Sequence, residues 1–191
     1  MKKIVFDIET SNLFSDVASN DPADLNLAVI CIYETDTEKY SHFLQPDLHK
    51  LWPIIESADM LIGYNSDHFD IPLLNKYYPG DLTKVKSLDI LKEIKEVFGR
   101  RMKLDQVAEG TLGTHKTSDG LQGVRWWRAG EYQKVIDYCL ADVRITKDVY
   151  EYATTHDMLF FAENGEKIKI PLKTADWETV EKVAMTHTLP F

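Results

Sequence analysis

Asp7 and Glu9 stand two residues apart in an apolar opening run, Met1-Lys-Lys-Ile-Val-Phe-Asp-Ile-Glu-Thr10. Strand side chains alternate faces, so Val5, Asp7 and Glu9 share one face and Ile4, Phe6 and Ile8 the other, with the two acids roughly 6.5–7 Å apart along the strand. Two like charges at the end of a buried strand repel each other and lose solvation, a cost that a divalent cation offsets well. An edge strand whose acids point into water explains a D-x-E spacing equally well when it stands alone. Two more acids sit at junctions beside apolar sequence. Asp70 ends the stretch Gly63-Tyr-Asn-Ser-Asp-His-Phe-Asp70, directly after a short apolar run and at the start of a helix, where an N-cap role would account for it. Asp142 follows Tyr138 by four residues, which stacks the two one turn apart on a helix. A Tyr hydroxyl next to a carboxylate is either a plain hydrogen-bonded pair or a group that orients a water beside a metal.

The elements that must hold these residues follow from periodicity. After the first strand, Ser11 to Asp24 is polar and predicts a loop. Leu27 to Tyr33 and Lys39 to Leu44 predict two further strands in a meander. Pro46-Asp47 opens a helix to about Ala58, with Leu48, Leu51, Trp52 and Ile55 on one stripe. Asp59 to Gly63 predicts a short buried strand, Asn65 to Phe69 a loop, and Asp70 the start of a helix with Leu73, Leu74 and Tyr77 inward, ended by Pro79-Gly80. Val85 to Asp89 is a last short strand. Helices are expected at Ile90 to Phe98 and Leu104 to Leu112, a loop from Gly113 to Gly123, and a long helix from Glu131 to about Thr155, with Ile136, Cys139, Val143, Thr146 and Tyr150 on one stripe. Asn164-Gly165 between alternating flanks predicts a hairpin over Leu159 to Ile170, and a short helix is expected from Asp176 to about Met185. The sum is an α/β domain with a mixed sheet and helices on both faces.

The 191 residues fit a single domain, with a core over 1–155 and a C-terminal extension over 156–191. No apolar run approaches the ~20 residues of a membrane span, which predicts a cytoplasmic protein with no membrane partner. Cys31 and Cys139 lack C-x-x-C spacing and are expected to be reduced core thiols. A formal net charge of −9 argues against a large nucleic-acid footprint, since duplex-coating proteins carry a basic face. A small footprint stays open: four acids holding two divalent ions would raise the effective charge by four, and local basic clusters could guide one strand to a metal site.

Phe6-Asp7-Ile8-Glu9-Thr10, Asn65 to Asp70, and Tyr138 to Asp142 resemble, in chain order, the three motifs of the DEDD 3′–5′ exonuclease superfamily. The Tyr four residues before the last Asp is similar to the DEDDy branch, which holds the proofreading domains of family-B DNA polymerases and ribonuclease D. The other branch places a His five residues before that Asp, and here the position is Asp137. The resemblance covers about the first 155 residues. It implies a ribonuclease H-like fold with a mixed five-stranded sheet, to which this chain adds a C-terminal β-hairpin and short helix.

It also implies phosphodiester hydrolysis with two divalent ions, Mg²⁺ or Mn²⁺, because oxygen-only ligands suit hard cations. By that resemblance Asp7, Glu9, Asp70 and Asp142 are metal ligands, Asp7 bridging both ions, and Tyr138 positions the nucleophilic water. Thr10, Asn65 and Leu13 are candidate contacts to the terminal nucleotide, and Leu13 and Phe14 either wedge between bases or pack on the core. Arg101, within Arg100-Arg101-Met-Lys103, and Arg125, within Arg125-Trp-Trp-Arg128, are candidate strand contacts, since cations and flat rings suit phosphates and bases. Trp126 and Trp127 are otherwise core. Lys116, in the loop before the last helix, is a candidate contact to the scissile phosphate. Asp89 and Asp105 match no motif position and are expected to be caps, and His68 is expected at the surface. The implied activity is a stand-alone exonuclease acting at a 3′ end of single-stranded nucleic acid, DNA in preference to RNA, with replication or repair partners conceivable and the oligomeric state open. The rivals are an exoribonuclease and a non-catalytic binding module on the same fold.

Overall fold

The computed structural model describes residues 1–114 and 121–179. Its organising element is strand β1 (Lys3–Thr10), where Ile4 and Val5 are fully buried on opposite faces. Strands β2 (Leu27–Glu34) and β3 (Lys39–Leu44) follow as an antiparallel meander, while β4 (Met60–Gly63) and β5 (Ser87–Asp89) join in parallel on the other side. The resulting order is β3-β2-β1-β4-β5. This is the mixed five-stranded sheet expected from the sequence. Its parallel half needs crossover segments, and helices provide them.

Short α1 (Phe14–Val17) follows β1, in a stretch expected to be loop; four residues make one helical turn, which carries no periodicity to detect. Helix α2 (Leu48–Glu56) connects β3 to β4, and α3 (Asp70–Asn75) follows β4. Both cover one face, where Leu48, Leu51, Ile55, Leu73 and Leu74 pack on Ile4, Phe6, Ile8, Ile30 and Ile32. Helix α3 stops short of Tyr77, whose hydroxyl instead accepts the Leu27 N–H at 3.2 Å. After β5 come α4 (Ile90–Phe98), α5 (Leu104–Leu112), α6 (Gln122–Arg128) and the 25-residue α7 (Tyr132–His156). Val5, Cys31, Ile62 and Leu88 of the second sheet face pack with Ile94 of α4, Val107 of α5, and Cys139 and Val143 of α7. All five residues of the expected α7 stripe are buried. Its aliphatic members, Ile136 and Val143, each contribute roughly 1.5–3 kcal/mol by leaving water.

Helix α6 was not expected. Its first turn falls at the end of a stretch that turn-forming residues mark as loop, and Gly123 near its start is a poor helix former. Beyond α7, β6 (Met158–Glu163) and β7 (Glu166–Pro171) form the expected hairpin. It is anchored in the main core: Leu159, Phe161 and Ile170 are fully buried in the same cluster as Val5 and Cys139. Gly110 of α5 lets β6 approach so closely that a Cβ there would lie 2.5 Å from the Phe161 backbone. The expected terminal helix lies outside the described residues from 180 onward, and residues 175–178 form a turn. No helix among the described residues is long and apolar enough to cross a membrane.

Candidate active site

The carboxyl end of β1 carries the acids. Asp7 and Glu9 lie on its Val5 face, beneath α7, and the β1–β2 register slips between Glu9 and Thr10, where Glu9 pairs with Val29 and Thr10 with Leu27. A bulge at this point ends regular pairing and re-aims the side chains beside it. Helix α7 is tied to the strand by the Cys139 thiol, which donates to the Asp7 carbonyl at 3.2 Å. Burial pushes the Cys139 thiol up from its ordinary value, with its contact to Cys31 adding to the effect. Both cysteines are buried and unbridged, as expected.

One turn past Cys139, Asp142 is buried on α7. Its carboxylate meets those of Asp7 and Glu9, with one oxygen from each lying within 4.8 Å of the others. At an effective dielectric near 20, each such ionised pair repels by about 3 kcal/mol. The donors are carboxylate oxygens, the hard set that suits Mg²⁺, Mn²⁺ or Ca²⁺. Three converging acids of this type fit a divalent cation, and the edge-strand alternative for Asp7 and Glu9 fails because β1 is central.

Asp70 approaches from the other side. It lines a cleft of about 200 Å³ together with Asp7, Glu9, Thr10, Asn65 and Phe69. The N-cap alternative for Asp70 does not hold: Phe69 occupies the cap and Asp70 is the first residue of α3. Its carboxylate instead reaches across to accept the Ile8 N–H of β1 at 3.0 Å. Burial pushes this carboxyl up to about 7, opposed by that hydrogen bond and reinforced by the Asp89 charge. Asp7 and Glu9 thus belong both to the cluster with Asp142 and to the cleft with Asp70.

Tyr138, half-buried one turn before Asp142, meets the Trp126 ring edge to face at 5.9 Å between centroids. Trp127 packs on Tyr132 at 4.6 Å, and both tryptophans are half-buried against the core. Asn65 adopts a left-handed backbone, φ 66°, which Asn tolerates better than most residues. Its N–H donates to Asp89 at 2.7 Å, and its side-chain oxygen accepts from Arg101. Asp89 caps α4 through the N–H groups of Leu91 and Lys92, as expected. It also holds the N–H groups of Asn65 and Asp67, so one buried acid shapes the loop leading to Asp70. That second task joins residues 22 and 24 apart and leaves no trace in local spacing.

The remaining expected contacts are dispersed. Thr10 lines the cleft, its hydroxyl donating to the Asn12 carbonyl at 2.9 Å. Arg101 lies in a neighbouring cleft with His68, Lys92 and Lys95, which shares Asn65 with the first. His68 is exposed, as expected. Leu13 sits at the cap of α1, and Phe14 packs edge to face on Phe69 at 6.2 Å, the core-packing alternative. Arg125 is exposed on α6, two residues from buried Gly123 and so on roughly the opposite side of that helix. Lys116 lies outside the described residues. The residue that sequence reasoning missed is Gly123 itself: it lies against Glu9, and a Cβ built on it would sit 2.5 Å from Glu9 Oε2.

A sequence model of the RNase H superfamily matches residues 4–154. No curated protein matches the chain closely enough to count as a relative. Among solved structures, the family B DNA polymerase from the hyperthermophilic archaeon Pyrobaculum calidifontis is similar over 80% of this chain, with a TM-score of 0.62 and 19% sequence identity. The chain spans 24% of that polymerase's length. At that identity the likeness is one of fold.

Proposed function

The chain belongs to the RNase H superfamily, and on that premise we propose that it is a metal-dependent 3′–5′ exonuclease of the DEDDy type acting on single-stranded DNA. The observation that carries this reading is the convergence of Asp7, Glu9 and Asp142 within 4.8 Å, with Asp70 facing them across one cleft. Asp7, Glu9 and Asp142 would hold one divalent ion, and Asp7 with Asp70 a second. Such a pair of Mg²⁺ or Mn²⁺ ions supplies a nucleophile from water at neutral pH and neutralises charge on the phosphorus and leaving oxygens.

The chain's own residues do the rest. Tyr138 holds the attacking water by a hydrogen bond from or to its hydroxyl, orienting it rather than taking its proton. Asn65, braced by Asp89 and Arg101, contacts the terminal nucleotide or its backbone, and Thr10 lines the same cleft. Arg101 offers a planar cation to a phosphate, the geometry that suits bidentate contact. Leu13, Lys116 and Arg125 are weaker candidates for strand contact. The choice of DNA rests on the fold shared with a DNA polymerase, which also makes replication the first context in which to look for partners.

The test is incubation of 3′- and 5′-labelled DNA and RNA oligonucleotides with Mg²⁺, Mn²⁺ or EDTA. A metal-dependent ladder shortening from the 3′ end of DNA is expected, with Asp142→Ala inactive. Preferential RNA degradation would move the assignment to an exoribonuclease. Absence of cleavage on every substrate, with Asp142→Ala indistinguishable from the natural chain, would reduce the fold to a binding module.

A further inference from the structure

Helix α6 contacts three neighbouring elements, β1, α7 and α1. Gly123, its second residue, lies against Glu9, and a Cβ built there finds Oε2 at 2.5 Å, Cδ at 3.3 Å and Cγ at 3.9 Å as its three nearest heavy atoms. One turn on, Trp126 sets its ring against Tyr138. At the far end, Arg128 pairs with Asp16 of α1 at 2.5 Å, tying the helix to the segment that follows β1. The bare Gly123 Cα therefore forms a wall against which the Glu9 carboxylate rests.

Glycine at this position is not explained by backbone conformation. Among the described residues the left-handed glycines are Gly99, Gly113, Gly130 and Gly165, and Gly123 is not one of them. Any L residue could hold its φ, and alanine is the better helix former. Nor does close packing of backbone against backbone explain it, as it does at Gly110, where the three nearest atoms belong to the Phe161 main chain. At Gly123 all three belong to one side chain, and that side chain is one of the converging acids. Contacts of this kind outside the ligand set fix the direction in which a ligand's lone pairs point.

We infer that Gly123 is a positioning residue: its missing side chain leaves the space in which the Glu9 carboxylate is held toward Asp7 and Asp142. The inference rests on the metal-site reading above and adds a residue to it. A methyl group at position 123 turns the flexible end of Glu9 away while leaving the main chain of α6 and β1 where it is. The substitution should thus separate metal binding from folding, which removal of a structural glycine does not.

The test is direct Mn²⁺ binding, followed by electron paramagnetic resonance of the free ion, with thermal melts in EDTA, on the natural chain, Gly123→Ala, Glu9→Asp and the double variant. Gly123→Ala should melt at the same temperature or higher, yet bind Mn²⁺ about 10–100-fold more weakly, the usual range for disturbing a residue that braces a ligand. In the Glu9→Asp background, where the carboxylate is retracted by one methylene, the same substitution should cost less than about threefold, a non-additivity that marks direct contact. Unchanged Mn²⁺ affinity in Gly123→Ala, a lowered melting temperature, or a full penalty retained in the Glu9→Asp background would each overturn the inference while leaving the metal site standing. If the natural chain itself binds no Mn²⁺, the functional reading fails and this inference falls with it.

Discussion

Asp70 and Tyr138 differ in what the fold does to them, and each difference can be measured. Asp70 is buried and its carboxyl is pushed up to about 7, whereas in the unfolded chain it releases its proton near 4. Between those pH values the native state holds a proton that the unfolded state has lost. Metal-free stability therefore falls as pH rises through that window, by up to about 1.4 kcal/mol per pH unit from this one group. Urea unfolding in EDTA at pH 5 and pH 8 should show this slope in the natural chain and a shallower one in Asp70→Asn, whose side-chain oxygen can still accept the Ile8 N–H. Identical slopes would assign the pH dependence to other groups. Tyr138→Phe keeps the ring contact with Trp126 and removes only the hydroxyl. On the proposed function its kcat should drop on the order of 100-fold, the cost of a misplaced reactant, while Mn²⁺ affinity stays within about twofold. A parallel loss of metal affinity would make Tyr138 part of the ligand shell rather than a group that holds water.

At the scale of elements, two junctions carry the site. The loop after β4 depends on Asp89, which satisfies N–H groups of both Asn65 and the first turn of α4. Asp89→Ala removes a helix cap, worth about 1 kcal/mol, and leaves the half-buried Asn65 N–H without its acceptor, which costs a further ~1–3 kcal/mol. The expected total is a loss of roughly 2–4 kcal/mol in denaturant melts. The junction of α5 with the hairpin is set by Gly110, beside Thr111, whose hydroxyl both donates to the Phe160 carbonyl at 2.8 Å and accepts the Phe160 N–H at 2.9 Å. Gly110→Ala drives a methyl group into the main chain of β6, so it should destabilise by about 1–3 kcal/mol, as overpacking does. Measured beside Gly123→Ala, it distinguishes a glycine that serves the fold from one that serves an acid. Stability unaffected by Gly110→Ala would mean that the hairpin is loosely docked.

Across the whole molecule, a net charge of −9 limits how a polyanion can be held. The described cations grouped beside the carboxylate cleft are Arg101, Lys92 and Lys95, and Lys92 already pairs with Asp67 at 3.2 Å. If these three are the phosphate contacts, binding of a labelled single strand by Asp142→Asn should weaken with salt along a log–log slope near −2, since each contact contributes about −0.7. A slope steeper than about −4 would reveal a longer basic track than this cleft provides.

How much was legible in the sequence follows from the range of each interaction. Strand alternation, helical stripes and the Asn-Gly turn are local, so the individual strands, the buried face of α7 and the hairpin could be read from periods of 2 and 3.6, while the five-stranded sheet was implied by the family resemblance. The acids were legible because β1, α3 and α7 are regular enough for spacing to imply a shared face, and because Asp7, Glu9, Asp70, Tyr138 and Asp142 match an ordered family pattern. Tertiary structure alone decided what depends on distant chain segments meeting. It removed the cap alternative for Asp70 and gave Asp89 a second loop to hold. It set Arg125 on the exposed side of a short helix that periodicity could not detect, and placed Gly123 against Glu9 across 114 positions of chain. A glycine carries no side chain by which a sequence could announce its partner; only the packed fold shows which atom occupies the space that it leaves.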